Sequence, residues 1–257
     1  MGGIVFSSVS AAPSQATARA TGLAKIRQRG RLIVAVKDNL RPLGFRNAAG
    51  ELVGLEIDLA HQLAVDLLGD PSKIELRPVA NAERLPALIN GTVDLVIARL
   101  TVNRSRSRQV DFSPPYYLDG TALITRDPRV QSLRGLQRRA IAVLANSSTV
   151  AVVQSRFPQA SVVAVPSYQA AKELLETSQA VVAFAADASV LTGWVQEFPA
   201  YRLLPGLVST EALAIAMPRG LQFQELRQQV DRLVRRWQVQ GWLASRIQAW
   251  GLPQSVQ

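Results

Sequence analysis

From Leu23 onward the chain alternates short apolar runs with amphipathic stretches. Leu23 and Ile26 share one face of a short helix that Gly30 ends. Residues 33–36 (IVAV) are a continuous β-favouring run, as expected of a strand buried on both faces. A loop with Pro42 and Gly44 follows, then a turn at 47–50. Leu59, Leu63 and Leu67 line one face of a helix closed by Gly69, and 74–76 reads as the next strand. The spacing predicts a helix over 83–90, with Pro86 in its first turn and Gly91 at its end, and a strand at 95–98.

The same alternation starts again after Asp127-Pro128. Strands are expected at 140–144, 162–165 and 181–184, with helices at 150–157, from Ser167 to Leu175, and after Asp187. A strand at 213–217 precedes a long helix carrying Phe223, Leu226, Val230, Leu233 and Trp237 on one face, stopped by Gly241. Two α/β units in one chain imply a bilobal architecture. The first twenty residues show no period, and Ile4-Val5-Phe6 is too short for the apolar stretch of a secretory signal. They read either as the tail of a trimmed leader or as a flexible N-terminus.

The 257 residues suffice for one or two domains with a real core, and 48% hydrophobic against 19% charged residues is a globular composition. No apolar run is long enough to span a membrane. The absence of cysteine excludes disulfides, thiol catalysis, Cys zinc sites and iron–sulfur clusters. The single histidine, His61, lies beside Leu59 and Leu63 without a partner histidine and is given no metal role. Lys+Arg 29 against Asp+Glu 19 gives a net charge of +10. The arginines are scattered and form no block interleaved with aromatics, so they describe a basic solvated surface and no nucleic-acid partner. No Walker A, GxSxG or HExxH motif is present, and no cofactor is implied.

In open parallel sheets, ligands bind beyond the carboxyl ends of the strands. The loops at those ends are 37–40, Asn81, 99–106, 146–149 and 185–187. They offer a lysine, arginines, hydroxyls and one carboxylate. A guanidinium suits a ligand carboxylate and an aspartate suits an ammonium, so the set fits a zwitterion. Bland alternatives exist for each: Arg106 sits in the run RSRSR, Asp187 is a plausible helix N-cap, and Ser147-Ser148-Thr149 suits a cap.

The stretch VDLVIARL followed by TVNRSRSRQVDFSPPYY resembles the signature of the polar amino-acid-binding proteins of ABC importers, solute-binding protein family 3. The resemblance extends to RGRLIVAVKDNLRPLGFRNAAGELVGLEIDLA and to ALAIAMPRG, and so covers roughly residues 23–250. It implies a bilobal periplasmic-binding-protein fold, two α/β lobes joined by hinge strands at 122–125 and 213–217. Residues 1–22 would be a flexible segment, 23–120 plus 215–257 lobe 1, and 121–214 lobe 2. By the same resemblance Arg106 clamps the ligand α-carboxylate, Thr101 adds hydroxyl and backbone contacts, and Ser147 and Ser148 add donors from lobe 2. Asp187 falls on the ammonium-binding aspartate. The implied protein is periplasmic, a monomer, and delivers an amino acid to a membrane permease without covalent chemistry.

Two departures bear on specificity. Leu40 and Asn81 stand where aromatic rings often sandwich the side chain, and Arg99 replaces a small residue two before Thr101. Lys37 and Arg99 therefore add two cations to the pocket, and a ligand with a second carboxylate would neutralise them. Glutamate or aspartate is expected first, glutamine second and basic amino acids last. Arg99 leaves that count if it points to solvent or pairs with a nearby acid. Two other functions fit the same fold: a receptor's sensor domain, and a cyclohexadienyl dehydratase-type enzyme. The second needs an acid poised over a leaving hydroxyl, and Asp38 and Glu83 have no evident partner.

Overall fold

The computed structural model describes residues 22–253. The expected flexible segment 1–22 lies outside the described residues, except Gly22, which opens the first helix. The first part of the chain forms α1 (Gly22–Arg29), β1 (Leu32–Val36), β2 (Asn39–Leu40), β3 (Gly44–Arg46), β4 (Leu52–Val53) and α2 (Leu55–Leu68). Next come β5 (Ile74–Pro78), α3 (Arg84–Ile89), β6 (Leu95–Ile97) and β7 (Val110–Asp119). The middle part forms β8 (Thr121–Thr125), β9 (Ala140–Leu144), α4 (Thr149–Arg156), β10 (Ser161–Val165) and α5 (Tyr168–Thr177). It continues through β11 (Val181–Asp187), α6 (Ala188–Glu197) and β12 (Arg202–Leu203). Finally β13 (Glu211–Pro218), α7 (Gln224–Val239) and α8 (Trp242–Ala249) return to the first sheet.

Two five-stranded sheets result, in the orders β5-β1-β6-β13-β7 and β10-β9-β11-β8-β12. In each, the first three strands are parallel, the fourth runs antiparallel to them and the fifth antiparallel to the fourth. Both sheets are covered on both faces, which explains why their central strands β1, β6 and β9 are continuously apolar, whereas β5 carries Glu75 and Arg77. Along β1, Leu32, Val34 and Val36 pack with α2 and α7, while Ile33 and Ala35 face the other way with Leu88 and Val96. Along β9, Ala142 joins the core with α5 and α6, and Ile141 and Val143 join that with Val153 and Phe157. The five-residue face anticipated for the long helix is buried at Leu226, Val230, Leu233 and Trp237; Phe223 stands just before α7.

The stretch read as a loop and turn is instead a small three-stranded antiparallel sheet, β2-β3-β4. Its strands are too short to show a period. The turn between β3 and β4 is set by Asn47, whose Oδ1 accepts from the N–H groups of Ala49 and Glu51 at 3.0 and 2.9 Å.

The hinges also differ from expectation. Residues 122–125 lie within the second sheet, where β8 pairs with β11 and β12. Residues 213–217 lie within the first, where β13 pairs with β6 and β7. The chain crosses between sheets at Gly120 and between β12 and β13. The two crossings are stitched together: Val208 N–H donates to Thr121 O at 2.7 Å and Thr121 N–H to Ser209 Oγ at 3.0 Å. A Cβ on Gly120 would stand 1.9 Å from Ser209 O, so the close pass requires glycine there.

Candidate functional site

A cleft of about 380 Å³ opens at the carboxyl ends of the parallel strands of both sheets. Eight of the nine residues anticipated from the sequence line it. Lys37 follows β1 beside Leu40; Asn81 follows β5; Arg99, Thr101 and Arg106 follow β6; Ser148 follows β9; and Asp187 ends β11. Ser147 is not among them: its Oγ turns back to donate to Leu144 O at 2.7 Å.

Arg106 is held by Thr101, five residues before it. Its Nη1 donates to Thr101 O at 2.9 Å and also to the Thr101 hydroxyl, while its own N–H donates to Asn103 Oδ1 at 2.9 Å. Lys37 is buried, 7% exposed, and its Nζ donates to Val79 O at 2.9 Å. Arg84 donates from Nη1 to the carbonyls of Ala98 and Arg99, both at 2.9 Å. Burial lowers its pKa from the usual arginine value, and the charges of Arg106 and Arg99 lower it further.

Arg99 corrects the charge argument made from the sequence. It is not an uncompensated cation. Its Nε donates to Asp119 Oδ2 at 3.3 Å and its Nη2 pairs with Asp187. Burial opposes its charge, but Asp187 and Asp119 outweigh that and raise its pKa. Asp119 is fully buried and also accepts from Ser189 N–H at 3.0 Å and Ser189 Oγ at 2.6 Å. Asp187 occupies the N-cap position of α6, yet its side chain makes no capping hydrogen bond. Its partner is Arg99, from the other sheet.

Asn39 also lines the cleft, from the anticipated 37–40 loop, while four lining residues were missed: Arg84, Tyr168, Val190 and Glu211. Arg84 was within reach, because it opens the helix that follows the Asn81 loop. Tyr168, the first residue of α5, brings an aromatic ring to a cleft whose expected aromatic positions carry Leu40 and Asn81. Glu211 begins β13, a strand whose start gave no sequence signal. A second cavity of about 250 Å³ adjoins the first, sharing Asn39, Leu40, Tyr168 and Val190 and adding Trp194 and Phe198.

His61 sits away from this cleft, with Nδ1 3.0 Å from Pro71 O, and no metal-holding group of three or more His, Cys, Asp or Glu occurs among the described residues. No described helix is long and apolar enough to cross a membrane.

The sequence of residues 32–253, which builds both sheets and the cleft between them, matches a known family: the bacterial extracellular solute-binding proteins, family 3. The chain belongs to this family. It is 34% identical over 205 residues to the glutamine-binding protein of Geobacillus stearothermophilus, covering 79% of this chain and 78% of that protein. It is 31% identical over 183 residues to the glutamate-binding protein GluB of Corynebacterium efficiens, covering 68% and 62%. Among solved structures, an ancestral cationic amino acid solute-binding protein superposes with a TM-score of 0.74 at 25% identity, covering 89% and 98%. The bilobal fold of the family is thus the fold of this chain, and its lobes are the two α/β units described above.

Proposed function

We propose that this family member is the extracytoplasmic amino-acid-binding component of an ABC importer. It captures a polar L-amino acid, acidic in preference, and passes it as a monomer to a membrane permease without covalent chemistry. The lobes are taken as 22–119 with 211–253, and 121–203, so that the ligand is gripped when they close. The α-carboxylate goes to Arg106 and Thr101 and the hydroxyl of Ser148 adds a donor from the second lobe. Glutamine- and glutamate-binding relatives support a polar amino acid.

One observation carries the acidic preference. Lys37, Arg84 and Arg106 line a single cleft, and among the described residues none has a carboxylate within ion-pair distance; their partners are carbonyl and hydroxyl oxygens. Closing lobes over three such cations strips their water, so a ligand bearing a second carboxylate is the complementary partner. Lys37 and Arg84 replace Lys37 and Arg99 as the pair that faces this second carboxylate.

Competition calorimetry with the standard amino acids tests the reading. Glutamate or aspartate should bind tightest, glutamine next, and arginine and lysine weakest. Ligand at 100 times its Kd should add about 2.7 kcal/mol to stability, visible as a thermal shift. Arginine or lysine binding tighter than glutamate rejects the charge argument.

A further inference from the structure

Arg99 stands, as part of the chain itself, where a ligand ammonium would pair. Its backbone lies in the left-handed region at φ 46°, which a side chain of this size rarely adopts. Both sides of the residue are pinned. Its N–H donates to Glu56 Oε1 at 2.6 Å, and its carbonyl accepts from Arg84 Nη1 at 2.9 Å. Glu56 is fully buried and is itself fixed by the Tyr116 hydroxyl at 2.5 Å. At the far end the guanidinium is held by Asp119, which Ser189 anchors, and by Asp187. The cation is built into the site and is not free to swing away.

A second cation brought to Asp187 meets that guanidinium at close range, and like charges in a partly dewatered cleft are disfavoured. Glu211 is the remaining carboxylate lining the cleft among the described residues, and the Glu211→Gln variant below tests it as the alternative partner of an ammonium. The cationic side of the cleft carries no such handicap, since Lys37, Arg84 and Arg106 have neutral oxygen partners only.

We propose that recognition in this cleft rests on carboxylates and does not require an α-ammonium, so that four- and five-carbon dicarboxylates are bound as a class, with or without the amino group. This rests on the acidic-ligand reading above and makes Arg99 the residue that sets tolerance for the missing amine.

The test is calorimetry on the full chain with two matched pairs: L-glutamate against glutarate, and L-glutamine against glutaramate, its amine-free counterpart. Glutarate should bind wild-type protein within about tenfold of L-glutamate. A site that depends on pairing the ammonium would lose from about thirtyfold to several thousandfold. Arg99→Gly, which suits the positive φ and frees Asp187, should shift the ratio at least tenfold towards the amino acid. If that variant does not fold, the wild-type ratio decides alone. A wild-type preference for glutamate of more than about tenfold overturns the inference, as does a Glu211→Gln variant that loses glutamate but keeps glutarate. Should glutamine bind in place of glutamate, the acidic preference fails and the ammonium question is decided by the second pair. Binding of neither pair refutes the amino-acid reading, and this inference with it.

Discussion

Gly193 gives the sharpest test of lobe closure, because one methyl group should act with opposite signs in two assays. It lies inside α6 of the second lobe, buried against the backbone of Arg41 from the first. A Cβ placed there would stand 2.3 Å from Arg41 O and 3.0 Å from its carbonyl carbon. An ordinary C···O contact is about 3.3 Å, so the lobes must part by about 1 Å to admit it. Backbone lines the far side and cannot rotate away. Overpacking of this kind costs about 1–3 kcal/mol, so Gly193→Ala should weaken ligand binding by roughly 5–150-fold. The ligand-free protein can relieve the clash by opening. There alanine replaces a helix-interior glycine, which is worth up to about 1 kcal/mol in favour of folding. Calorimetry with glutamate and thermal denaturation of the ligand-free protein provide the two readings. Weaker binding with an unchanged or higher melting midpoint is expected. Wild-type affinity would refute closure onto Arg41, and equal losses in both assays would mark a local packing defect.

Arg106→Ala should reduce glutamate affinity by about 2–5 kcal/mol while leaving the fold within about 1 kcal/mol of wild type, since its bonds are to Thr101 alone apart from its backbone contacts; near-wild-type affinity of the folded variant would remove it from the clamp. Trp237 is 2% exposed and donates from Nε1 to Asp66 Oδ2 at 2.9 Å, so Trp237→Ala should destabilise by about 3–5 kcal/mol in urea titration. Asp127 is held at a pKa of about 2 by its hydrogen bonds to Arg129. A depressed acid stabilises the fold above its unfolded value near 3.9 and loses that contribution as pH falls through about 2. Wild type and Asp127→Asn should therefore differ in stability at pH 5 and converge below pH 2; a pH-independent difference would contradict the assignment.

The repeating α/β pattern was legible in the sequence because both sheets are covered on both faces, which leaves β1 and β9, and β11 as far as Ala186, apolar without interruption. The helix α7 showed its inward stripe for the same reason, since one face meets β7 and α2 while the other meets solvent. Arg106 and Thr101 were singled out by their place in the family's signature, and because they share one short loop their contact is local. The N-cap position of Asp187 was local too, but its role was not. Its carboxylate pairs with Arg99 across the cleft, and no periodicity records an ion pair between residues 88 positions apart on two different sheets. Asp119 lies 20 residues from Arg99 at the crossing between the sheets, and Glu211 reaches the cleft only because β13 returns to lie beside β7. Ser147 turned away because its hydroxyl finds a carbonyl three residues back, a choice made by the shape of one turn. Charge is therefore where sequence and structure part: residue types name the cations, but Coulomb energy depends on distance and on the water excluded between them, which tertiary packing alone decides.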